Sequence, residues 1–272
     1  MVIAITGANG YLGANLVNYF TRAGHQVIKL VRQPRASDER YFVLGETPRG
    51  DILAGIDLLV HAAFDFSIKD YNKSYQINVE GSIKLFQVAR SQNVKNCVYI
   101  SSISAFDECI SNYGKIKLDT ENELRKVIAS NLYILRPGLI WGERLGGVMQ
   151  SLKKIAKLPI VPLVGANVIQ YLVHYDDIAK SILYLADNQM NYQSPLTLAY
   201  PQQYKFADIL KVLGAKIIIS VPWKIVLYLL KFLESMKLDL RTGSDNLISL
   251  MNQNKNIVLD VKLFNWEFTR FH

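Results

Sequence analysis

The sequence is poor in cysteine, histidine and proline, and each shortage excludes a class of protein. Two cysteines, Cys97 and Cys109, in 272 residues cannot form a disulfide framework of the kind that holds small secreted domains together. The four scattered histidines lack the spacing of metal ligands, so no metal site is expected. Eight prolines, sixteen glycines and no low-complexity tract argue against a disordered or collagen-like chain.

The sequence also lacks a long uninterrupted apolar run. The longest apolar region, Ile217 to Leu233, is interrupted by Pro222, Lys224 and Lys231, and a spanning helix needs roughly 18 apolar residues. No integral membrane segment is therefore expected. From Trp223 to Met236 apolar residues cover most of a helical circumference, which favours a helix buried against a domain or a second subunit over a helix on a membrane surface.

Positive charge is in excess but is spread thinly. The formal net charge is +8, divided as +3 over residues 1–140 and +5 over residues 141–272, without a block of like charges. A diffuse excess of this kind is a weak nucleic-acid signal, so no nucleic-acid partner is expected. Because the chain starts with an apolar run in place of a basic leader and a cleavage site, a cytoplasmic location is expected.

Half of the residues are apolar, and they occur as short β-branched strands that alternate with helices. Such alternation predicts an α/β fold with a doubly wound parallel sheet covered on both faces. Beyond residue 142 the alternation becomes irregular, although Leu196–Ala199 is a further candidate strand. The predicted strands of the regular part are Val2–Thr6, Gln26–Arg32, Tyr41–Leu44, Ile56–Ala62, Asn96–Ser101 and Leu132–Arg136, and the predicted helices include 70–91 and 113–129.

Three glycines, Gly7, Gly10 and Gly13, lie between the first predicted strand and the helix that follows. The first glycine permits a tight turn, the second lets the backbone approach a pyrophosphate, and the third permits close packing of helix and strand. A helix N-terminus also supplies free N–H donors to an anion. We therefore expect this loop, which includes Asn9, Tyr11 and Leu12, to bind a dinucleotide.

The end of the second strand decides the cofactor in such folds. An acid there binds the ribose 2′-OH of NAD, whereas an arginine accommodates the 2′-phosphate of NADP. This sequence has Arg32 at that position and Arg35 nearby, with no acid between Ile28 and Ser37. The residues favour NADP(H) over NAD(H), the alternative being that both arginines are simply solvated.

Several motifs, in their order along the chain, resemble those of the extended short-chain dehydrogenases/reductases, the NAD-dependent epimerase/dehydratase group. They extend over residues 2–187, and the resemblance weakens after Leu196. It implies a Rossmann fold with a smaller C-terminal substrate-binding lobe. The matching segments are Thr6–Gly13 (TGANGYLG), His61–Ala63 (HAA), Asn78–Gly81 (NVEG), Tyr99–Ser102 (YISS), Tyr113–Lys117 (YGKIK), Leu135–Gly138 (LRPG) and Val173–Asp177 (VHYDD).

The chemistry of the YGKIK segment can be read from its spacing. Tyr113 and Lys117 are four residues apart, so on a helix they share a face, and a nearby ammonium stabilises a tyrosinate. A phenol of reference pKa about 10 thereby becomes useful as a general acid or base. Ser102, at the end of a strand, is placed to donate a hydrogen bond to a carbonyl oxygen.

The resemblance implies roles for individual residues. It makes Tyr113 the acid/base, Ser102 the residue that positions the reacting oxygen, and Lys117 a further contact to the nicotinamide ribose. Other expected cofactor contacts are His61, Ala62, Ala63, Ser101, Pro137 and Gly138, and the expected substrate contacts are Ser102, Tyr113, Trp141 and Arg144. Residues 1–140 would hold the cofactor and the catalytic residues, and residues 141–272 would mainly bind substrate, with some segments returning to the sheet.

The sequence departs from the family at three points. Members that act on nucleotide sugars often have an asparagine where this chain has Leu139, and an arginine for the diphosphate where it has Gln170. An amide replaces a guanidinium poorly in binding a diphosphate. In addition, only ten residues separate Ser102 from Tyr113, which implies a more open or differently shaped pocket.

Three functions remain open. The first is an NADP(H)-dependent oxidoreductase, epimerase or dehydratase of a sugar-like substrate, led by a nucleotide-sugar 4-keto reductase or epimerase. The second is a reductase of a non-nucleotide ketone, sterol-like, phenolic or isoprenoid. The third is a dinucleotide-sensing protein without turnover. Analogy with the family also suggests a homodimer.

Overall fold

A computed structural model describes residues 1–128, 131–143, 146–188, 194–235 and 244–272. The strands in these ranges are β1 Val2–Thr6, β2 Gln26–Val31, β3 Glu39–Tyr41, β4 Leu58–His61, β5 Asn96–Ile100, β6 Leu132–Pro137, β7 Leu139–Trp141, β8 Val161–Val164, β9 Ile169–Gln170, β10 Leu172–His174, β11 Leu196–Leu198, β12 Tyr204–Lys205 and β13 Ile218–Val221. The α-helices are α1 Tyr11–Arg22, α2 Tyr71–Ser74, α3 Gly81–Ser91, α4 Asn112–Val127, α5 Gly147–Ala156, α6 Tyr175–Asn188, α7 Phe206–Val212, α8 Trp223–Ser235 and α9 Ser244–Met251.

Seven of these strands form one sheet in the order β11-β6-β5-β4-β1-β2-β3. Every pair in it is parallel, and β4 and β5 are buried along their whole length. Strands that are covered on both faces need apolar side chains on both, which is why they read as continuous apolar runs. The prediction of a doubly wound parallel sheet is confirmed.

Helices cover the two faces of the sheet with separate cores. One core contains Leu16 and Phe20 of α1 with Ile178 and Ile182 of α6, together with aromatic residues near the C-terminus. The other contains Leu85 and Phe86 of α3 and Leu124 of α4, among other residues. The predicted helix over residues 70–91 is present as α2 and α3 joined by a π-helical segment, Tyr75–Glu80.

The irregular part of the chain is more broken up than its sequence predicted. Residues 169–174 form two short strands, since β9 pairs antiparallel with β12 while β10 pairs parallel with β7. The candidate strand at residue 196 is β11, which returns to the main sheet beside β6. A third core, which includes Met149, Leu152 and Phe271, holds the lobe together. The domain boundary at residue 140 stays a prediction.

The helix predicted from Trp223 to Met236 is α8; the chain itself does not bury it, and burial against a second subunit stays a prediction. Ile225, Tyr228 and Leu229 are mostly exposed. The reason is that α8 packs against α9, and one neighbouring helix covers only one side of a helical surface. Met236 lies outside the described residues.

No helix in the described ranges combines the length and the apolar character that crossing a membrane requires. The cytoplasmic location and the homodimer stay predictions.

A buried ion pair ties α4 to β6. The guanidinium of Arg136 donates two hydrogen bonds to the Glu121 carboxylate, at 2.8 and 2.6 Å, and the Ser101 hydroxyl donates a third. Glu121 is almost fully buried. A buried carboxylate is tolerated only when its oxygens are paired in this way.

Removing Arg136 should therefore lower the free energy of unfolding by more than breaking an exposed ion pair would. We expect Arg136→Met to lower the free energy of unfolding by about 3 kcal/mol, since it leaves the Glu121 charge buried and unpaired. Urea unfolding measures the change. The control Lys126→Met, which removes an exposed partner of Glu123, should cost less than about 1 kcal/mol. A double variant, Glu121→Leu/Arg136→Met, that is no more stable than Arg136→Met would contradict this account.

Candidate active site

The site lies where the parallel strands end. Pairing of β1 with β4 places Thr6 opposite His61, and pairing of β5 with β6 places Ile100 opposite Leu135. The segments that follow these strands therefore emerge side by side at the carboxyl edge of the sheet, where open α/β folds bind their ligands. They carry most of the residues that the sequence singled out.

The glycine loop is built for close approach of an anion. Gly7 has a positive φ of 67°, and a Cβ on Gly13 would lie 2.1 Å from the Gly7 carbonyl oxygen, so neither position tolerates a side chain. Helix α1 begins after Gly10 without a side-chain cap and without an acid in its first turn. Its first N–H groups and Asn9 thus stand at an uncapped helix N-terminus, which fits the pyrophosphate of a dinucleotide.

Tyr11 and Leu12, the other two residues of the predicted dinucleotide loop, face inward. Leu12 packs against the core beneath α1. The ring of Tyr11 fills the space beside Gly146 and meets the Tyr175 ring edge-on at 6.1 Å. Burial raises the pKa of its phenol, and the hydroxyl is buried without a hydrogen-bond partner among the described atoms.

Arg32 and Arg35 lie beyond the end of β2, which neighbours β1 in the sheet. Both are exposed. The Arg35 side chain donates to Gln33 at 3.4 Å, and its backbone N–H donates to Glu39 at 2.6 Å. The two nearest acids, Asp38 and Glu39, are engaged by Lys29 at 3.1 and 3.0 Å.

The side chain of His61 is fully buried and points away from solvent. Thr6 Oγ1 accepts from the N–H groups of Ala62 and Ala63 at 3.1 Å each, so its proton is directed to His61 Nδ1 at 2.7 Å. His61 Nε2 then donates to Ser82 Oγ at 2.8 Å. Burial, with the Lys117 charge, lowers the pKa of His61 to about 3, so the ring is neutral and holds the strand ends together.

Tyr113 and Ser102 are brought together by the packing of α4 on the sheet. Their side chains share a hydrogen bond, which lowers the pKa of the Tyr113 phenol, but burial raises it more. The net effect is a pKa above the ordinary value of tyrosine, so the lowering expected from the four-residue spacing to Lys117 is not found. The phenol is therefore protonated at neutral pH and is ready to donate its proton.

Lys117 lies one turn further along α4 and is 3% exposed. Its ammonium donates to the Ile100 carbonyl oxygen at 2.8 Å and lies 4.8 Å from the ring centres of both Phe64 and Tyr99. Burial lowers the pKa of Lys117 to about 7, although the Glu121 charge opposes the shift.

Two aromatic residues that sequence reasoning missed form a wall on Tyr113. The Phe66 ring stacks on the Tyr113 ring at 5.6 Å, and the Phe64 ring meets it edge-on at 5.1 Å. Buried Asn78 fixes this segment, since its Oδ1 accepts from the Asp65 N–H at 2.7 Å. The signal was present in the sequence as two phenylalanines just after the HAA segment.

The C-terminal helix α9 holds the start of α4 from outside. The backbone N–H groups of Asn112 and Tyr113 donate to the Asp245 carboxylate at 2.6 and 3.1 Å. Just after α9, Asn252 accepts from the Ile110 N–H at 2.8 Å. The short loop between Ser102 and Tyr113 is therefore braced by a segment more than a hundred residues away, and no local sequence signal pointed to Asp245.

Pro137 and Gly138 come next to Ser102. The Ile103 N–H donates to the Pro137 carbonyl at 3.1 Å, and the Gly138 N–H donates to the Leu198 carbonyl at 3.0 Å. A cavity of about 230 Å³ opens beside Ile103, between Arg136 and residues 254–260. Neither Ser102 nor Tyr113 lines this cavity.

Two of the remaining predicted site residues, Ser101 and Trp141, have partners other than Tyr113. The Ser101 hydroxyl is turned to Glu121. Trp141 packs instead on His174 and Phe271, with ring centres 4.7 and 5.2 Å apart. Arg144 lies outside the described residues.

A dinucleotide loop followed by a Ser, Tyr and Lys set at one sheet edge is the arrangement of short-chain dehydrogenases/reductases, enzymes that use a nicotinamide dinucleotide. Residues 3–197 match the model of the NAD dependent epimerase/dehydratase family. The chain belongs to that family, as its motifs predicted, and the non-catalytic alternative is disfavoured because the relatives are enzymes.

Similarity to individual proteins is moderate. The chain is 29% identical over 191 residues to a ceramide reductase of Caulobacter vibrioides, covering 67% of this chain and 60% of that protein. It is 30% identical over 117 residues to a 3-beta-hydroxysteroid dehydrogenase of Mycolicibacterium neoaurum, covering 38% and 32%. These matches span less than two thirds of either relative.

The fold is also that of a solved UDP-glucose 4-epimerase of Thermotoga maritima. The TM-score is 0.67 at 17% identity, over 82% of this chain and 86% of that one. At this identity the likeness shows the fold alone.

The lowered pKa of Lys117 predicts how stability depends on pH. Between about pH 7 and the unperturbed value near 10.4, the unfolded chain holds a proton on Lys117 that the folded chain lacks. Stability contributed by this group therefore rises with pH over that interval. We expect the stability of Lys117→Met relative to wild type to fall by roughly 2 kcal/mol between pH 7 and 9, measured by urea unfolding.

The matched control is Lys115→Met, which removes an exposed lysine from the same helix. Its stability relative to wild type should stay constant over this range. The same constancy in Lys117→Met would show that the Lys117 ammonium does not titrate there.

Proposed function

We propose that this enzyme transfers a hydride between NADP(H) and the ketone or secondary alcohol carbon of an apolar substrate that carries no nucleotide. The observation that carries the proposal is the aromatic wall on Tyr113. Phe66 is 71% exposed while stacked on the Tyr113 ring. An exposed aromatic ring beside the acid/base suits an apolar substrate, because it gains stabilisation when that substrate covers it.

Leu139 and Gln170, at the two positions where nucleotide-sugar enzymes often bind the diphosphate, also favour a substrate without a nucleotide. Leu139 opens β7, and Gln170 pairs with Tyr204 between β9 and β12. Neither carries a positive charge. The Nε2 group of Gln170 is buried, without a hydrogen-bond partner among the described residues, so it lacks the fork of donors that binds a diphosphate. The names of two relatives, ceramide reductase and 3-beta-hydroxysteroid dehydrogenase, also point to apolar substrates.

In the proposed reaction the chain moves the proton. When bound, the nicotinamide ring supplies or accepts the hydride. The Tyr113 hydroxyl donates its proton to the carbonyl oxygen as that oxygen gains charge, and Ser102 holds the oxygen by a hydrogen bond. The Lys117 ammonium stabilises the tyrosinate that remains. Burial raises the pKa of the Tyr113 phenol, which favours the protonated form that a reduction requires.

The NADP(H) preference rests on the charge after β2. Arg32 is exposed just after β2, which neighbours β1 in the sheet, and an arginine at the end of this strand accommodates a 2′-phosphate. The acids that could instead hold a ribose 2′-OH, Asp38 and Glu39, are bound to Lys29. Cofactor binding therefore gains from the 2′-phosphate and has no free carboxylate at hand to favour NAD(H).

Tyr113→Phe should reduce kcat for ketone reduction by about 10²- to 10⁴-fold, the range for loss of a general acid, with little change in NADPH affinity. Steady-state assays with NADPH and a panel of steroid and long-chain ketones provide the measurement. Tyr75→Phe removes a hydroxyl from the neighbouring π-helical segment and should leave kcat within about twofold. Turnover by Tyr113→Phe at the wild-type rate would remove Tyr113 from the mechanism.

Arg32→Ala should shift the ratio of NADPH to NADH affinity toward NADH by at least about tenfold, the effect of losing one charge-assisted hydrogen bond. Fluorescence titration of both cofactors measures the ratio. Arg22→Ala, an exposed arginine at the end of α1, is the control and should leave the ratio unchanged. An unchanged ratio in Arg32→Ala would show that Arg32 does not read the 2′-phosphate.

The substrate class is tested by ligand-dependent stability. With NADP⁺ present, an apolar ketone at about 100 times its Kd should raise the free energy of unfolding by about 2.7 kcal/mol, whereas UDP and dTDP should not. Thermal unfolding measures both. Protection by UDP or dTDP alone would favour the nucleotide-sugar 4-keto reductase or epimerase and would contradict the apolar substrate.

A further inference from the structure

Two segments of the C-terminal lobe carry lysine without any acid. Residues 146–175 contain Lys153, Lys154 and Lys157, and residues 209–233 contain four more lysines. Neither segment contains an aspartate or a glutamate. Asp208 and Glu234 flank the second segment, and Asp208 pairs with Lys211 at 3.4 Å, so the lysines of the two segments still outnumber the acids beside them.

The fold places these two segments side by side. Strands β8 and β13 pair in parallel, and just ahead of them the Val161 N–H donates to the Ile217 carbonyl at 2.8 Å. Leu158 and Ile160, which lead into β8, are exposed, as are Ile217 and Ile219. These four side chains form an apolar ridge, and Lys157 and Lys216 lie next to it in the sequence.

Helix α8, which follows β13, continues this pattern. Ile225, Tyr228 and Leu229 share one helical face and are 63%, 73% and 55% exposed. Lys224 and Lys231 lie four residues before and three residues after Tyr228, so both border that face. Exposed apolar residues with lysines along their edge are typical of helices that lie at a membrane interface.

We propose that this lysine-rich surface, formed by residues 153–160 and 216–231, docks the enzyme onto an anionic lipid bilayer. The apolar side chains of α8 enter the boundary between headgroups and acyl chains. The lysines bind the negative surface, to which each basic residue adds attraction. The helix lies on the membrane and does not cross it.

The charge pattern favours a bilayer over a second copy of the chain. In a twofold symmetric interface the same patch faces itself. Lys224 and Lys231 would then meet lysines, and Glu234 is the single carboxylate in the α8 sequence to set against them. Like charges brought together oppose association, whereas anionic headgroups neutralise all of them.

The surface is also connected to the active site. Helix α8 packs against α9, and Asp245 of α9 accepts the backbone N–H groups that begin α4. A membrane-bound α8 is thus one helix away from Tyr113. Docking would bring the enzyme to a membrane where the apolar substrate of the proposed function dissolves. The docking proposal is argued from the surface alone, so it can be tested without an activity assay.

Vesicle flotation of the full chain tests the docking. Vesicles of phosphatidylcholine with about 30% phosphatidylglycerol should bind the protein, pure phosphatidylcholine should bind it much less, and about 0.5 M NaCl should weaken the binding. Lys224→Gln/Lys231→Gln should reduce partitioning to the anionic vesicles roughly 10- to 30-fold. Ile225→Ser/Leu229→Ser should reduce it at every salt concentration, since it removes the inserted groups.

Lys95→Gln/Lys126→Gln removes the same charge from exposed lysines outside the two segments, which pair with Asp57 and Glu123, and is the control. It should change partitioning less than threefold. All variants alter exposed positions, and circular dichroism verifies that they are folded. The proposal is overturned if the wild-type chain fails to bind anionic vesicles at low salt, or if both α8 variants bind as well as wild type. It is also overturned if sedimentation shows a dimer that the Ile225→Ser/Leu229→Ser change dissociates while vesicles bind nothing.

Discussion

The hydrogen bond from the Lys117 ammonium to the Ile100 carbonyl oxygen, 2.8 Å long, is the contact on which the site depends. It ties the middle of α4 to the end of β5. Tyr113 lies one turn before Lys117, and Ser102 lies two residues after Ile100, so this one contact brings acid and hydrogen-bond donor together. Burying an ammonium is costly, and the cost appears as the lowered pKa of Lys117.

Buried polar groups around the strand ends form hydrogen bonds that hold Lys117 and its neighbours in place. Thr6, His61 and Ser82 form one chain of hydrogen bonds, and Ser101, Glu121 and Arg136 form another. Several residues of the recognisable motifs therefore hold the edge of the sheet in place through their side chains. A motif identifies such residues, but it does not say which of them touch the cofactor.

The C-terminal helices α8 and α9 contribute both to the candidate site and to the outer surface. Asp245 binds the first turn of α4, while α8 presents its apolar face to the outside. The same pair of helices thus braces the acid/base and forms the surface that we assign to a bilayer. Substrate choice and location would then be set by one part of the chain, and the hydride chemistry by another.

The sequence by itself determined the parallel sheet, the glycine loop and the positions of Tyr113 and Lys117 one turn apart on a helix. These features arise from short-range rules: burial on both faces of a strand, the lack of a Cβ at a turn, and the four-residue spacing of a helix. Only the tertiary structure decided the wall of Phe64 and Phe66, the brace from Asp245 and the exposed face of α8. Each depends on which distant segments meet, and no local pattern encodes how much of an apolar helix its neighbours will cover.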